Sequence, residues 1–284
     1  MSPHLQVLLY FAPLIVLVVI YPSIIRSMMR LRPMADRAYL DQLVALAAQH
    51  RLRIQEFVVW QTGGQYENAA VVGALPWNRF VVLTDGLLGN RSHAELTALV
   101  RHELAHAQRS HVLMRVLLVA LPLWCWLWGR SLVPATWEQH LNELWQQIGM
   151  GWSFTTVRFL AVPAVLVLAL RLALGKLSRF LEHDADLCGC DCYSAHASVA
   201  DRSQACHALQ RALEAIVPRG QRDCSTWLHP STSQRISVLE ASVRDEQFAD
   251  RIRRRTETLG LLLPLAYVAA PLAAALPVLV HWLT

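Results

Sequence analysis

Four long apolar runs limit what this chain can fold into more than any other feature. Leu5–Ile25 carries no Asp, Glu, Lys or Arg, Val112–Gly129 is broken only by Arg115, Phe159–Leu174 holds Arg171 near its end, and Leu259–Leu283 is again free of charge. A helix needs roughly 20 consecutive apolar residues to cross a bilayer. The first and last runs reach that length. The middle two reach it if their arginines snorkel to the interface. The tryptophans of Leu123-Trp124-Cys125-Trp126-Leu127-Trp128 suit a membrane boundary, where an amphipathic ring has one apolar and one wet end. The alternative is that the two middle runs are core helices of a soluble domain. The first run has no basic residue before it and no small-x-small site after it, so it does not read as a cleaved signal peptide.

Charge orients these runs. Of 26 Lys and Arg, ten lie in Arg26–Arg109 and twelve in Lys176–Arg255, whereas Arg130 stands alone between residues 130 and 152. Basic segments stay on the cytoplasmic side. The expected order is therefore a transmembrane helix at 5–25, a cytoplasmic segment at 26–111, a helix at 112–129, a short external loop at 130–152, a helix at 153–174, a second cytoplasmic segment at 175–256 and a helix at 259–283. The net charge of +5 then reflects orientation in a bilayer. No basic stripe interleaved with aromatics points to nucleic acid. Five of the six cysteines fall in the second cytoplasmic segment, where thiols stay reduced, so no disulfide framework is expected.

Within the first segment, Met34–Arg51 has helical periodicity, Arg53–Trp60, Tyr66–Ala74 and Arg79–Thr84 read as strands, and Gly63-Gly64 as a turn. Ser92 and Glu95 have capping-box spacing at the head of a helix expected to run on into the second apolar run. In the second segment, Lys176–Leu187, Ala195–Val217 and Ser231–Val243 read as helices around a loop at Arg219–Pro230. Neither segment can bury an adequate core alone. The expected fold is α+β and mostly helical: a polytopic membrane protein with about four transmembrane helices and one cytoplasmic catalytic domain built from two segments.

The strongest chemical signal is His102-Glu103-Leu104-Ala105-His106. Residues four apart share a helix face, so both imidazoles can reach one Zn²⁺ while Glu103 reaches a water beside it. Leu96, Leu99, Val100 and Leu104 make this helix apolar, and two buried histidines with a glutamate are costly without a shared partner. A catalytic zinc takes a third protein ligand. Glu182-His183-Asp184-Ala185-Asp186 offers it: Glu182 can bind while Asp186 receives the ring N–H of a ligating histidine, and His183 or Asp184 can serve instead.

These residues, with Ser178-Arg179, Asn68-Ala69, His229-Pro230 and Arg235-Ile236 in the same order along the chain, resemble the M48 membrane zinc peptidases, which include the HtpX heat-shock proteases and the CAAX prenyl proteases. The resemblance implies a gluzincin-type catalytic domain with one Zn²⁺ on His102, His106 and Glu182, and Glu103 as general base. It implies that His229 and Arg235 face the substrate or the reaction intermediate. Asn68-Ala69, on an edge strand, would hold an extended peptide by β-addition. The expected protein is an integral-membrane zinc metalloendopeptidase of the bacterial inner membrane with a cytoplasmic active site. Its substrates would be proteins or peptides, in membrane-protein quality control or in dedicated processing. A catalytically silent zinc-bound scaffold is the competing reading. Cys188, Cys190 and Cys192 are expected to be buried, inert thiols, and His111, His196, His207 and His281 to be solvated or interfacial.

Overall fold

The computed structural model describes residues 3–129, 135–149, 154–194 and 197–283. The chain forms two compact units. One comprises Met1–Leu113 with Ser178–Thr258, the other Met114–Leu177 with Leu259–Thr284.

The first unit opens with α1 (Pro3–Met28), β1 (Leu31–Pro33) and α2 (Arg37–Gln49). Helix α2 starts later than its periodicity suggested because Asp36 caps it, accepting from Tyr39 N at 3.0 Å. Strands β2 (Phe57–Trp60), β3 (Ala69–Val72) and β4 (Phe80–Thr84) follow, each tighter than its apolar stretch. The sheet order is β1-β2-β4-β3, with β2 and β4 parallel and both outer strands antiparallel to their neighbours. Strand periodicity explains the two cores. Phe57, Val59, Val81 and Leu83 enter the main core, while Val58, Phe80 and Val82 form a smaller cluster with Ile25, Met29 and Leu31. Strand β3 lies at an edge, as the Asn68-Ala69 reading required.

Thr84 caps a short α3 (Asp85–Asn90), which the sequence did not announce, and Ser92 caps α4 (His93–Gln108) with both halves of the capping box made. Helix α4 does not continue into the second apolar run. Ser110 adopts a left-handed φ of 56°, the chain breaks, and α5 (His111–Gly129) begins anew. The 36-residue α7 (Phe154–Gly189) carries the third apolar run and the Glu182 motif on one helix. Then come α8 (Val199–Ile216), a 3₁₀ turn at Arg219–Gln221, α9 (Thr232–Arg244), capped by Ser231, and α10 (Glu246–Leu283). Leu96, Val100 and Leu104 from α4 meet Leu187, Leu209, Ala212 and Leu239 in the main core. At roughly 1.5–3 kcal/mol per fully buried leucine-sized side chain, these contacts hold α4, α7, α8 and α9 together.

In the second unit, residues 130–152 are not all loop: α6 (Ala135–Gln147) occupies most of them, and 130–134 and 150–153 lie outside the described residues. Of the tryptophans in the 123–128 run, the structure describes the side chain of Trp124, whose Nε1–H donates to Tyr267 O at 2.9 Å. Among the described residues one helical stretch, Gln247–Ala273, is long and apolar enough to cross a membrane, with shorter apolar helices at Val18–Met28 and His111–Pro122.

Candidate metal centre

The site lies wholly in the first unit. His102 and His106 project from α4, and Glu182 from α7. His102 Nε2 and His106 Nε2 are 3.2 Å apart, and the Glu182 oxygens lie 3.5 and 3.4 Å from them. These are the atoms among the described residues that can converge on one ion. Ligands bound to zinc at about 2.1 Å in a tetrahedron stand about 3.4 Å from one another. The imidazole pair is close to that edge, Glu182 offers one oxygen to each ring, and two imidazole nitrogens with one carboxylate are a zinc donor set. The residues fit the metal.

Each imidazole is held from behind. His102 Nδ1 lies 2.8 Å from Asp186 Oδ1, and Asp186 in turn receives Arg235 Nε at 2.9 Å and its NH2 group at 2.5 Å. His106 Nδ1 lies 2.9 Å from His111 Nδ1. Burial works against the charges on Asp186, Glu182 and His102 and is overruled by their neighbours. Asp186 is held at about 2 against burial by Arg235 and His102. Glu182 is held far below the carboxylate range against burial by hydrogen bonds from His102 and His229. Burial and Arg235 disfavour a charge on His102, yet Asp186 and Glu182 lift it to about 9.

Glu103 sits beside the three ligand atoms without joining them, with Oε1 4.0 Å from His102 Nε2. Burial raises its carboxyl pKa, which brings a carboxylate towards the range of a useful base. Its other oxygen accepts from Val71 N at 3.3 Å. Edge strand β3 thus turns a backbone N–H away from β4 and towards the site. Asn68 precedes this strand and pairs with Thr84, its N donating to Thr84 Oγ1 at 2.9 Å. Ala69 opens the strand.

The loop before α9 brings in His229. Its side chain is 58% exposed, and Nδ1 reaches Glu182 Oε2 at 3.4 Å. Arg235, expected to face the substrate or the reaction intermediate, is in an ion pair with Asp186 beside His102, with Nη2 3.5 Å from His102 Nε2. Of the three alternatives for the third ligand, Glu182 is the one beside both imidazoles. Asp184 faces His111 instead, and His183 is not among the converging groups.

Three residues near the site were misjudged or missed. His111, expected to be solvated or interfacial, is completely buried against His106 and Asp184; its signal was its position just past the end of α4. Asp184 is a fully buried carboxylate and not a ligand candidate. Gly189 ends α7 against the backbone of α4: a Cβ there would stand 2.9 Å from His102 N and 3.0 Å from His102 Cα. His207 is exposed, as expected, His196 lies outside the described residues, and of His281 only the backbone is described. Of the three cysteines expected to be buried, Cys188 and Cys190 are buried free thiols and Cys192 is half-buried; burial pushes Cys188 up to about 12. A thiol so far above neutrality is a poor nucleophile.

The family model for peptidase family M48 matches residues 35–243. The protein "Probable CAAX prenyl protease 1" of Schizosaccharomyces pombe is 31% identical over 107 residues, 37% of this chain and 22% of that protein. The chain thus matches about a fifth of that relative's length. The crystal structure of S. mikatae Ste24p superposes with a TM-score of 0.54 at 18% identity, covering 83% of this chain and 57% of that one. At that identity the likeness is one of fold.

Proposed function

This chain belongs to peptidase family M48, a family of metalloproteases, and from that premise we propose that it is a membrane-embedded zinc metalloendopeptidase with one Zn²⁺ on His102, His106 and Glu182. The observation that carries the reading is the convergence of buried His102, His106 and Glu182, with one ligand atom from each within 4.8 Å of the others and the Glu103 carboxylate beside them. The chemistry a bound Zn²⁺ supplies is Lewis acidity towards a carbonyl oxygen and towards water. Glu103 Oε1 takes the proton from the attacking water and returns it to the leaving amine. Asp186, anchored by Arg235, keeps the proton of His102 on Nδ1 and leaves Nε2 free to bind. Strand β3 pairs with an extended peptide along its outer edge and lays the scissile bond over Glu103. His229, reaching in from solvent, donates to the developing oxyanion or closes the site at rest.

The protein works at a bilayer with this site on the cytoplasmic side. Support comes from the basic residues crowded into 26–109 and 176–255. It comes also from Val165, Val167, Leu168 and Leu172 on α7 and Leu261, Leu262, Leu265, Val268 and Leu272 on α10, all exposed. Large apolar side chains in such numbers suit lipid better than water. We read α1, α5, α7 and α10 as the four spans, with 26–111 and 175–256 as one catalytic domain. Substrates are membrane proteins or their cytoplasmic segments. A dedicated role, processing a prenylated CAAX terminus, is favoured by the similarity to the S. pombe protein, and cleavage of a prenylated against an unprenylated peptide separates the two.

The decisive experiment pairs two variants of the detergent-purified chain. Glu103→Gln should keep one zinc per chain by elemental analysis and lose peptide cleavage, since Gln takes no proton at neutral pH; a tenth of the normal turnover would require another base. His106→Ala should lose zinc, and full retention would sink the ligand assignment. A silent scaffold would cleave no peptide before or after either change.

A further inference from the structure

The mechanism above leaves one buried polar chain unused. His111 is completely buried, with Nδ1 2.9 Å from His106 Nδ1 and Nε2 2.9 Å from Asp184 Oδ2. Asp184 is completely buried as well, and it is over-determined: Tyr193 OH donates to it at 2.8 Å, Thr256 Oγ1 at 2.9 Å and Arg109 Nε at 3.0 Å. These donors come from the α4–α5 junction, from the turn after α7 and from α10.

We propose that His111 and Asp184 are positioning residues for the metal, forming an ordered chain His106–His111–Asp184 that sets the tautomer and the aim of the second histidine ligand. This rests on the reading of His106 as a ligand. Two facing Nδ1 atoms 2.9 Å apart can share only one hydrogen when both rings are neutral. A ring that binds metal through Nε2 carries its proton on Nδ1, so His106 donates and His111 Nδ1 accepts. His111 then carries its own proton on Nε2 and gives it to Asp184, whose three other donors keep it an acceptor. Each tautomer is fixed by the next partner outward, and no member is left without one. His102 is backed directly by a carboxylate, Asp186, whereas His106 is backed by a carboxylate at one remove. The break at Ser110 makes this possible by starting a new helix at His111.

The test measures zinc affinity of the full chain in detergent by competition with a chelator of known affinity, for the unaltered chain, His111→Leu, His111→Gln and His106→Ala. Loss of such an outer partner costs roughly 10–100-fold in metal affinity, and that loss is expected for His111→Leu. His111→Gln should regain most of it, because a glutamine amide can accept from His106 and donate to Asp184 at once. A merely structural residue would show no such rescue. Unchanged affinity in His111→Leu, or an equal loss in both His111 variants, overturns the proposal. If His106→Ala binds zinc as tightly as the unaltered chain, the ligand assignment has failed instead. Ring-nitrogen NMR of the zinc-loaded, ¹⁵N-histidine-labelled unaltered chain needs no variant to fold. It should show one neutral histidine protonated on Nε2, with its Nδ1 coupled across a hydrogen bond to a second ring. A pair with the accepting ring protonated on both nitrogens overturns the proposal as well.

Discussion

Gly189→Ala tests whether the close approach of α7 to α4 sets the metal site. The added methyl would stand 2.9 Å from His102 N, 3.0 Å from His102 Cα and 3.1 Å from Arg101 C. All three are backbone atoms of α4, so no side chain can rotate aside. Carbon–carbon contacts are comfortable at about 3.5–4.0 Å, which requires the helices to part by roughly half an ångström or more. Overpacking of this kind costs about 1–3 kcal/mol. The gain in helix propensity, at most about 1 kcal/mol in a helix interior, is small here because Gly189 is the last residue of its helix. The shift acts on the site directly, since His102 is on one side of the contact and Glu182, two turns earlier on α7, on the other. Thermal unfolding of the chelator-treated protein should fall by several degrees, at roughly 2–4 °C per kcal/mol, and zinc affinity should fall with it. Gly89→Ala is the control, because a Cβ there meets nothing within 4 Å, and it should bind zinc as the unaltered protein does and unfold at no lower a temperature. If Gly189→Ala matched that control in both measurements, the inter-helix contact would not be setting the ligand geometry.

His229→Ala should lower turnover by roughly 10²–10³ with little change in KM if the imidazole serves the oxyanion, and raise basal activity if it closes the site; steady-state kinetics on one peptide decides, and an unchanged kcat removes His229 from the site. Asp184 is held below the usual aspartate value of 3.8 by His111 and Arg109, against burial. The stability this confers is complete above that value and lost as pH falls through the lower folded one. Acid unfolding of the metal-free protein should therefore be less steep below pH 3.8 in Arg109→Gln, and an identical slope would exclude the pair from acid stability. Reporters fused after Arg37 or Gln221 should read cytoplasmic and one after Thr284 external; a cytoplasmic C-terminus would remake the last span as a re-entrant or core segment.

Much of this protein is written in local pattern. Period-4 spacing on one face is a property of any helix, so His102 and His106, and Glu182 with Asp186, could be paired from sequence alone. The caps at Ser92 and Ser231 and the turn at Gly63-Gly64 are equally local, since each depends on residues within one turn of chain. What local pattern does not hold is any contact that depends on a break or on a crossing of two helices. On an uninterrupted helix His111 would point about 140° away from His106, and Asp184 lies about 200° around its own helix from Glu182. Ser110 ends α4 and α5 starts afresh, so His111 meets both His106 and Asp184. Arg235 was legible as a site residue, but only the packing of α9 shows it bound to Asp186 beside His102. Gly189 matters because another helix's backbone occupies the place of its missing side chain. Spacing determined which atoms could bind a metal; the crossing of α4, α7 and α9 decided which groups hold those atoms in aim.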